Sequence, residues 1–237
     1  MDRGTQLNVE TFTIAVPSLQ RLTIYEGQEV GGYVINAPSL KYLEIEGFDS
    51  HKFCLIENAP ELVEAKIVNV SDIINENILG SLTSAKRLCL ELSPLKITFP
   101  MGSIFYQLVY LELYTHKAEW WNLLLLMLNA SPRLQVLKLI GRWYCDKDRV
   151  ACEKLDQRKN VSECMLLNLE TFVWHGYKQQ LEEEKEVAKY ILRNANRLNR
   201  ATVSIEGVTS DERLEMLEEL ESVVRASNSS CQLLLLE

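Results

Sequence analysis

One apolar spacing recurs along the whole chain and limits what it can fold into. Residues 38–45 read Pro-Ser-Leu-Lys-Tyr-Leu-Glu-Ile, and the same skeleton of a proline and three apolar positions returns at residues 17–24, 60–67 and 132–139. Looser copies without the proline have their first apolar position at Ala85, Leu108, Leu169 and Leu198. Measured between first apolar positions, the steps are 21, 22, 23, 23, 26, 35 and 29 residues. A unit this short cannot bury its own apolar face, so neighbouring units must stack.

This period is typical of leucine-rich repeats, and it predicts an α/β solenoid with a parallel, concave β-sheet. Each early repeat is expected to hold a second short strand on the outer side, just before its proline, as at residues 33–37 and 53–59. We expect the proline itself at the first residue of the inner strand, because it lacks an amide donor.

The connecting segments change character along the chain. Apolar spacing predicts helices over residues 71–82, 117–129 and 180–197, and Thr209-Ser-Asp-Glu predicts a capping box that opens another helix. Between the helices of the last third we expect strands at 169–174 and 201–205, and an edge strand at 231–236 closes the chain. Of the adjacent tryptophans Trp120 and Trp121, one is expected to pack under the helix; for the other, about 100° around, partial exposure is the alternative and the core is favoured.

The repeats and connectors suggest three parts. Leucine-rich repeats are predicted over 1–140, a charged, mobile insertion or linker over 141–163, and a carboxy-terminal α/β domain that continues the sheet and caps the solenoid over 164–237.

Composition excludes several classes of function. The 237 residues carry a formal net charge of −8, which argues against general binding to nucleic acid or to an anionic membrane. No apolar run has the length of a signal peptide core or a membrane span, so an intracellular location, cytoplasmic or nuclear, is expected. The six cysteines form no Cys-x-x-Cys pair, which predicts reduced thiols.

No catalytic, metal or cofactor site is predicted. His51, His116 and His175 fall in different repeats and are expected at the surface or at strand ends. No glycine loop suited to phosphate is present, and the spacing of Cys145, Cys152 and Cys164 matches no common zinc pattern. A Cys/His hydrolase site formed across repeats stays open as a less favoured alternative, and a Cys or Ser within hydrogen-bonding distance of a His would support it.

Strand alternation instead predicts a protein-binding face. If Leu22 and Ile24 point into the core, the residues between and beside them point outward, and the same holds in each later repeat. Tyrosine offers a large contact area and a hydrogen-bonding tip at low entropic cost. Glu46 and Glu91 continue the predicted outward set, and the alternative is that all of these are ordinary solvated strand residues. The candidate partner-binding residues are Arg21, Tyr25, Tyr42, Glu44, Glu64, Lys66, Arg87, Tyr110, Glu112, Tyr114 and Lys138.

The last third carries more specific motifs. Residues 164–169 read Cys-Met-Leu-Leu-Asn-Leu, Trp174-His-Gly-Tyr follows, and an acidic cluster precedes Tyr190-Ile-Leu-Arg-Asn-Ala and the closing Arg225-Ala-Ser. These motifs resemble the FBD domain of plant F-box/FBD/LRR-repeat proteins, with repeats over about 9–140 and the FBD domain over about 164–236.

The resemblance implies the substrate-binding part of a ubiquitin-ligase receptor, in which an F-box docks to a Skp-type adaptor. No F-box helices precede Val9, and the first repeat looks cut at its start. An adaptor is therefore expected as a partner only if an F-box is encoded upstream, and a shortened family member without a ligase role is the alternative.

Overall fold

The structure is a computed structural model that describes residues 10–25, 31–47, 53–70, 78–92, 104–116, 120–141, 161–178, 181–205, 207, 209–227 and 229–236. Within these ranges the chain forms twelve strands and five helices. The strands are β1 (Glu10–Ala15), β2 (Arg21–Tyr25), β3 (Gly31–Asn36), β4 (Tyr42–Glu46), β5 (Phe53–Asn58), β6 (Glu64–Val68), β7 (Arg87–Leu90), β8 (Tyr110–Tyr114), β9 (Val136–Ile140), β10 (Thr171–His175), β11 (Arg200–Ser204) and β12 (Gln232–Leu236). The helices are α1 (Ile78–Ser81), α2 (Trp120–Ala130), α3 (Glu163–Leu167), α4 (Glu182–Asn194) and α5 (Ser210–Ala226).

The strands form two parallel sheets, which confirms the α/β class. The larger sheet has nine strands in the order β12-β11-β10-β9-β8-β7-β6-β4-β2, and the smaller has three in the order β1-β3-β5. β1, β3 and β5 are the second strands predicted in the early repeats. In the large sheet each strand neighbours the next strand of that sheet along the chain, so stacking proceeds in sequence order.

The repeated apolar positions share one side of the large sheet. Leu22 is in register with Leu43, and Leu111 is in register with Leu137. Leu43, Leu111 and Leu137 are buried, whereas Leu22 is only partly buried because β2 is an edge strand. Recurrence in sequence thus becomes a continuous apolar layer, because each parallel strand repeats the register of its neighbour.

A tight turn precedes these strands, and the prolines lie in it. The Leu40 amide donates to the Ala37 carbonyl at 2.9 Å, and the same three-residue step joins Leu62 to Ala59 at 3.2 Å. Pro38 and Pro60 occupy the second position of their turns, where their fixed φ is favourable. The expected placement at the first strand residue is therefore wrong, because the proline lies four residues earlier and shapes the entry into the strand.

A backbone carbonyl just before the strand of one repeat accepts hydrogen bonds from the next repeat. The Gln20 carbonyl accepts hydrogen bonds from the amides of both Lys41 and Tyr42, at 2.9 and 3.1 Å. The same doubled acceptance recurs from strand to strand across the sheet. Its later acceptors are the carbonyls of Lys41, Val63, Lys86, Val109, Gln135 and Glu170.

Helices cover the apolar side in the second half of the chain. α2 buries both Trp120 and Trp121, which confirms the favoured core placement. α4 and α5 pack against each other and are joined by Lys185 and Lys189, which lie 2.9 and 2.8 Å from Glu219. The capping box at the start of α5 is confirmed, because the Thr209 side chain accepts from the Glu212 amide while the Glu212 carboxylate accepts from the Thr209 amide.

The backbone segments that follow β9 and β10 lie so close together that one position in each requires glycine. A Cβ on Gly141 would lie 2.3 Å from the Gly176 carbonyl oxygen, and Gly176 itself has φ of +68°. Neither position accepts a side chain without moving the backbone.

Several predicted features differ from the structure or fall outside the described residues. α3 was not predicted; it lies at the boundary between the expected linker and the carboxy-terminal domain. Residues 142–160 of the predicted linker and 71–77 of the first predicted helix are outside the described ranges. Among the helices that are described, none is both long and apolar enough to cross a membrane.

Candidate protein-binding face

The side of the nine-stranded sheet opposite its apolar layer carries the candidate residues, and we call it the polar face. Strand register arranges its side chains in three rows that run across the sheet. The start row, nearest the beginnings of the strands, contains Arg21, Tyr42, Glu64, Arg87 and Tyr110. The central row contains Thr23, Glu44, Lys66, Cys89, Glu112 and Lys138. The end row includes Tyr25, Glu46, Tyr114, His175 and Ser204.

Arginines stacked on tyrosines organise the start row. The Arg21 guanidinium lies 4.4 Å from the ring centroid of Tyr42, and that of Arg87 lies 4.0 Å from the ring centroid of Tyr110. Arg87 also lies 3.4 Å from the Glu64 carboxylate. Because a cation over an aromatic face gains about 0.5–1 kcal/mol at an exposed site, these side chains are held in place before any partner binds.

Glu112 is the centre of the central row. Its Oε2 accepts a hydrogen bond from the Tyr110 hydroxyl at 2.8 Å and lies 3.0 Å from Lys138 Nζ, while its Oε1 accepts from the Cys89 thiol at 3.5 Å. Two strands away, Lys66 Nζ donates to Glu44 Oε1 at 2.7 Å. The central row is thus largely paired within itself, and the start row is left as the more exposed part of the charged face.

These hydrogen bonds and ion pairs shift the pKa values of several side chains on the polar face. Burial acts to raise the pKa of Glu112, but the hydrogen bonds from Lys138 and Tyr110 outweigh it and lower the pKa below the usual value. The hydrogen bond to Glu44 raises the pKa of Lys66. Burial and the Glu112 charge raise the pKa of Cys89, so its thiol stays protonated and unreactive.

All eleven predicted residues lie on the polar face. The most exposed tyrosines of the polar face are Tyr25, at 63%, and Tyr42, at 37%. The two lysines and Glu112 are only partly exposed, because Lys66 pairs with Glu44 and Lys138 pairs with Glu112. The structure thus brings the candidates together, and their role in binding remains a prediction.

Glu91 contradicts its predicted exposure. Glu91 is 1% exposed, because β7 ends at Leu90 and the chain turns the carboxylate inward, where its Oε1 lies 3.0 Å from His116 Nε2. His116 lies two residues after the end of β8, which agrees with the strand-end alternative of its prediction, and its side chain is 11% exposed. Cys89 was missed, although its position between Arg87 and Glu91 in the alternating pattern was the available signal.

The second half of the polar face holds a serine–histidine pair. His175 Nδ1 lies 3.1 Å from Ser204 Oγ on the next strand. Burial, and then the nearby Lys138 charge, lowers the pKa of His175, which opposes the imidazolium that a general base must form. Ser204 is itself buried. The pair meets the distance criterion for a nucleophile and base, but its surroundings do not favour that chemistry.

The described cysteines Cys54, Cys89, Cys164 and Cys231 are free thiols. Within the described part of the chain, no group of three or more His, Cys, Asp or Glu residues is arranged to hold a metal ion.

The fold and this face together define an α/β protein of stacked parallel strands with one charged, tyrosine-bearing sheet surface. Comparison with known proteins is more specific. The FBD family model matches residues 157–203. No solved structure matches the chain.

Curated relatives match almost all of the chain. It is 58% identical, over 96% of its length, to the putative F-box/FBD/LRR-repeat protein At4g13965 of Arabidopsis thaliana, of which it covers 53%. It is 56% identical to the F-box/FBD/LRR-repeat protein At3g52680 of the same plant, over 98% of this chain and 52% of the relative. A putative FBD-associated F-box protein, At1g55030, is 53% identical over 98% of this chain and 55% of its own length.

The chain is therefore similar over almost all of its length to plant F-box/FBD/LRR-repeat proteins, and the resemblance predicted from its motifs is confirmed. It spans about half the length of the curated relatives that it matches.

Proposed function

We propose that this chain is a non-enzymatic scaffold that binds a protein partner on the polar face. In this proposal the nine strands are the inner sheet of a leucine-rich-repeat solenoid, the polar face is its concave side, and an FBD domain continues and caps the sheet. The repeat period, the parallel register and the names of the relatives support this assignment. The role corresponds to the substrate-binding part of a ubiquitin-ligase receptor.

The observation that carries the proposal is the preorganised start row. Arg21 with Tyr42, and Arg87 with Tyr110, are two arginine–tyrosine stacks held in a fixed order across five strands. Tyrosine and arginine are enriched at the residues that contribute most to binding in protein interfaces, and side chains already held in place lose less entropy on binding. Ordinary solvated strand residues would have no reason to adopt this order.

A paired-variant capture experiment tests the proposal. Tyr25→Ala with Tyr42→Ala removes the two most exposed tyrosines of the face, and neither hydroxyl has a hydrogen bond to a described residue, so the fold should persist. Leu126→Ala with Leu214→Ala is the matched control, because these helical residues are 37% and 57% exposed and lie off the face. Quantitative affinity capture from plant extract should identify proteins that the wild type and the control retain and that the tyrosine variant loses about tenfold.

Equal capture by all three proteins would reject the polar face as the binding surface. If the wild type retained no specific protein, the alternative of a shortened family member without partners would be favoured.

A Skp-type adaptor is proposed as a partner only for a product that also carries an F-box. The relatives are named for an F-box, and this chain corresponds to about half of their length. Purified adaptor should therefore not bind this chain alone but should bind a version fused to a relative's F-box. Binding to the chain alone would contradict this division of roles.

The hydrolase alternative rests on the His175–Ser204 pair. An active-site serine probe such as a fluorophosphonate should leave Ser204 unlabelled, because the hydroxyl is buried and its neighbour is a weakened base. Labelling that disappears in Ser204→Ala would instead support an enzyme.

We also propose an intracellular location, cytoplasmic or nuclear, which imaging of a fluorescent fusion would check.

A further inference from the structure

The beginnings of the strands carry a charge opposite to that of the whole protein. We define the strand-start edge as the first residue of each large-sheet strand from β2 to β11, together with the four residues that precede it. It contains seven cations and three carboxylates, whereas the formal net charge of the chain is −8. The cations are Arg21, Lys41, Lys86, Arg87, Arg133, Arg197 and Arg200, and the carboxylates are Glu61, Glu64 and Glu170.

Most of these cations have no anionic partner. Arg87 is paired with Glu64, and Arg21 is stacked on Tyr42. The side chains of the other five make no hydrogen bond or ion pair with any residue that the structure describes. Four of the five are exposed, and Lys41 is partly exposed. Seven cations against three carboxylates give this edge a net positive charge on an acidic protein, which favours binding of an anion. Glu61 and Glu170, which precede β6 and β10, reduce this field without reversing it.

Four of the five unpaired cations lie before every second strand of the sheet, and the fifth, Arg200, is the first residue of β11. Lys41 precedes β4, Lys86 precedes β7, Arg133 precedes β9 and Arg197 precedes β11. In the order of the sheet, exactly one strand separates each of these from the next. Because neighbouring strands lie about 4.8 Å apart, successive cations are separated by about 10 Å in the direction across the sheet. Lys41 and Lys86 directly precede their strands, whereas Arg133 and Arg197 lie three residues before theirs. The backbone connections from Gln20 to Glu170 keep these strand starts aligned.

We propose that the strand-start edge binds an extended acidic polypeptide with a carboxylate at about every third residue. A polyproline II segment rises about 3.1 Å per residue and has three residues per turn, so its side chains at every third position share one face about 9 Å apart. That repeat matches the spacing of the four cations. The segment would lie across the strands at their beginnings, with its carboxylates opposite Lys41, Lys86, Arg133 and Arg197.

A nucleic acid fits this edge less well. Phosphates of a single strand are more closely spaced than the cations, so most of them would remain without a partner. The acidic remainder of the protein also repels a long, dense polyanion. A short peptide with separated carboxylates avoids both costs.

This inference concerns a second surface. The four cations lie outside the polar-face residues of the proposed function, and the test uses a synthetic peptide, so either proposal can fail while the other stands.

The test is binding of a fluorescent twelve-residue peptide, four repeats of Glu-Pro-Ala, to the purified full chain at low salt. A peptide of the same composition with its four glutamates adjacent is the control ligand. The spaced peptide should bind several-fold more tightly than the clustered one, and its binding should weaken steeply as salt is added.

Lys86→Gln with Arg133→Gln should weaken binding of the spaced peptide about tenfold, because two of the four opposed charges are removed. Arg193→Gln with Arg225→Gln makes the same change in net charge on α4 and α5 and should alter binding less than twofold. Circular dichroism should show that both variants fold, since all four side chains are exposed.

Three outcomes would overturn the proposal. The first is no binding, or equal binding by the Lys86/Arg133 variant and the wild type. The second is equal affinity for the spaced and clustered peptides, which would reject the spacing. The third is tighter binding of a single-stranded oligonucleotide with the same number of charges, which would assign the edge to nucleic acid.

Discussion

The two halves of the nine-stranded sheet share one core and differ on their polar face. From β2 to β9 the face carries paired charges and stacked tyrosines that connect strand to strand. From β10 to β12 its central positions are Val173, Thr202 and Leu234. The apolar side is equally buried in both halves, with Leu111 in one and Phe172 in the other.

The difference shows which positions the stack constrains. Every strand must supply the same apolar residues to the core, whichever half it belongs to, because a parallel stack has no other way to bury them. Residues on the polar face do not have to fill the core, so they can differ from strand to strand. The first half of this face is therefore where selective contacts can be placed, while the second half is stabilised from the opposite side by α4 and α5. The following experiments test this division.

The largest effect is expected in the shared core. Trp174→Ala removes a fully buried ring that lies 5.9 Å from Trp120, 6.0 Å from Phe172 and 5.0 Å from Tyr177, between ring centroids. We expect a loss of about 3–5 kcal/mol in the free energy of unfolding, and Leu111→Ala in the other half should cost about 2–5 kcal/mol. Urea denaturation measures both. A cost below about 1 kcal/mol in one half would show that the two halves do not share one core.

The second effect tests the charged half through its central residue. Glu112→Gln should reduce the free energy of unfolding by about 1–2 kcal/mol at neutral pH, because Lys138 and Tyr110 lose a charged acceptor. Thr202→Ala, at a central position of the neutral half, should change it by less than about 0.5 kcal/mol. Similar costs for both would remove the contrast between the halves.

The pH dependence of Glu112 has a definite sign. Its pKa in the folded protein is lower than the ordinary value of 4.5, so its contribution is complete above that value and is lost as pH falls through the lower, folded pKa. The difference in stability between wild type and Glu112→Gln should therefore be constant near pH 7 and shrink in acid. A difference that grew in acid would mean that the carboxylate is not stabilised by its partners.

A third, smaller effect tests how the neutral half is stabilised. Thr209→Ala removes the side-chain cap of α5 and should cost about 1 kcal/mol. Ser222→Ala, later on the same helix, is the control and should cost less. Thermal or urea unfolding of both variants decides whether α5 stabilises this half, and equal costs would show that the cap is not important.

The smallest effect is expected at an exposed pair of the charged half. Lys66→Gln breaks the contact with Glu44 and should cost only about 0.2–1 kcal/mol, because both side chains are partly solvated. The cost should decrease further in high salt. A larger cost that does not change with salt would indicate that the central row contributes to stability more than its exposure implies.

Most of the secondary structure was predictable because it depends on local spacing. Inward apolar residues that recur at intervals of 21 to 35 residues identified eight strands of the large sheet, and Thr209-Ser-Asp-Glu identified the start of α5. Two predictions were wrong for different reasons. Pro38 lies in a local turn four residues before its strand, and Glu91 turns inward towards His116, which belongs to the next repeat.

The candidate face was predictable as a set of positions but not as a set of contacts. Alternation placed Glu112 and Lys138 on the same side, yet the distance of 3.0 Å between their charged atoms depends on the register of β8 with β9. Cys89 was passed over because a cysteine in a row of charged residues has no obvious role until its contact with Glu112 is seen.

The sequence by itself determined that the chain must stack in parallel, since a unit of about two dozen residues cannot bury its leucines alone. It also determined which residues leave the core, because side chains alternate along a strand. Only the tertiary structure decided which outward side chains meet, since partners such as Glu44 and Lys66 are 22 residues apart and become neighbours only through strand register. The same stacking brings cations from separate repeats to one edge of an otherwise acidic protein.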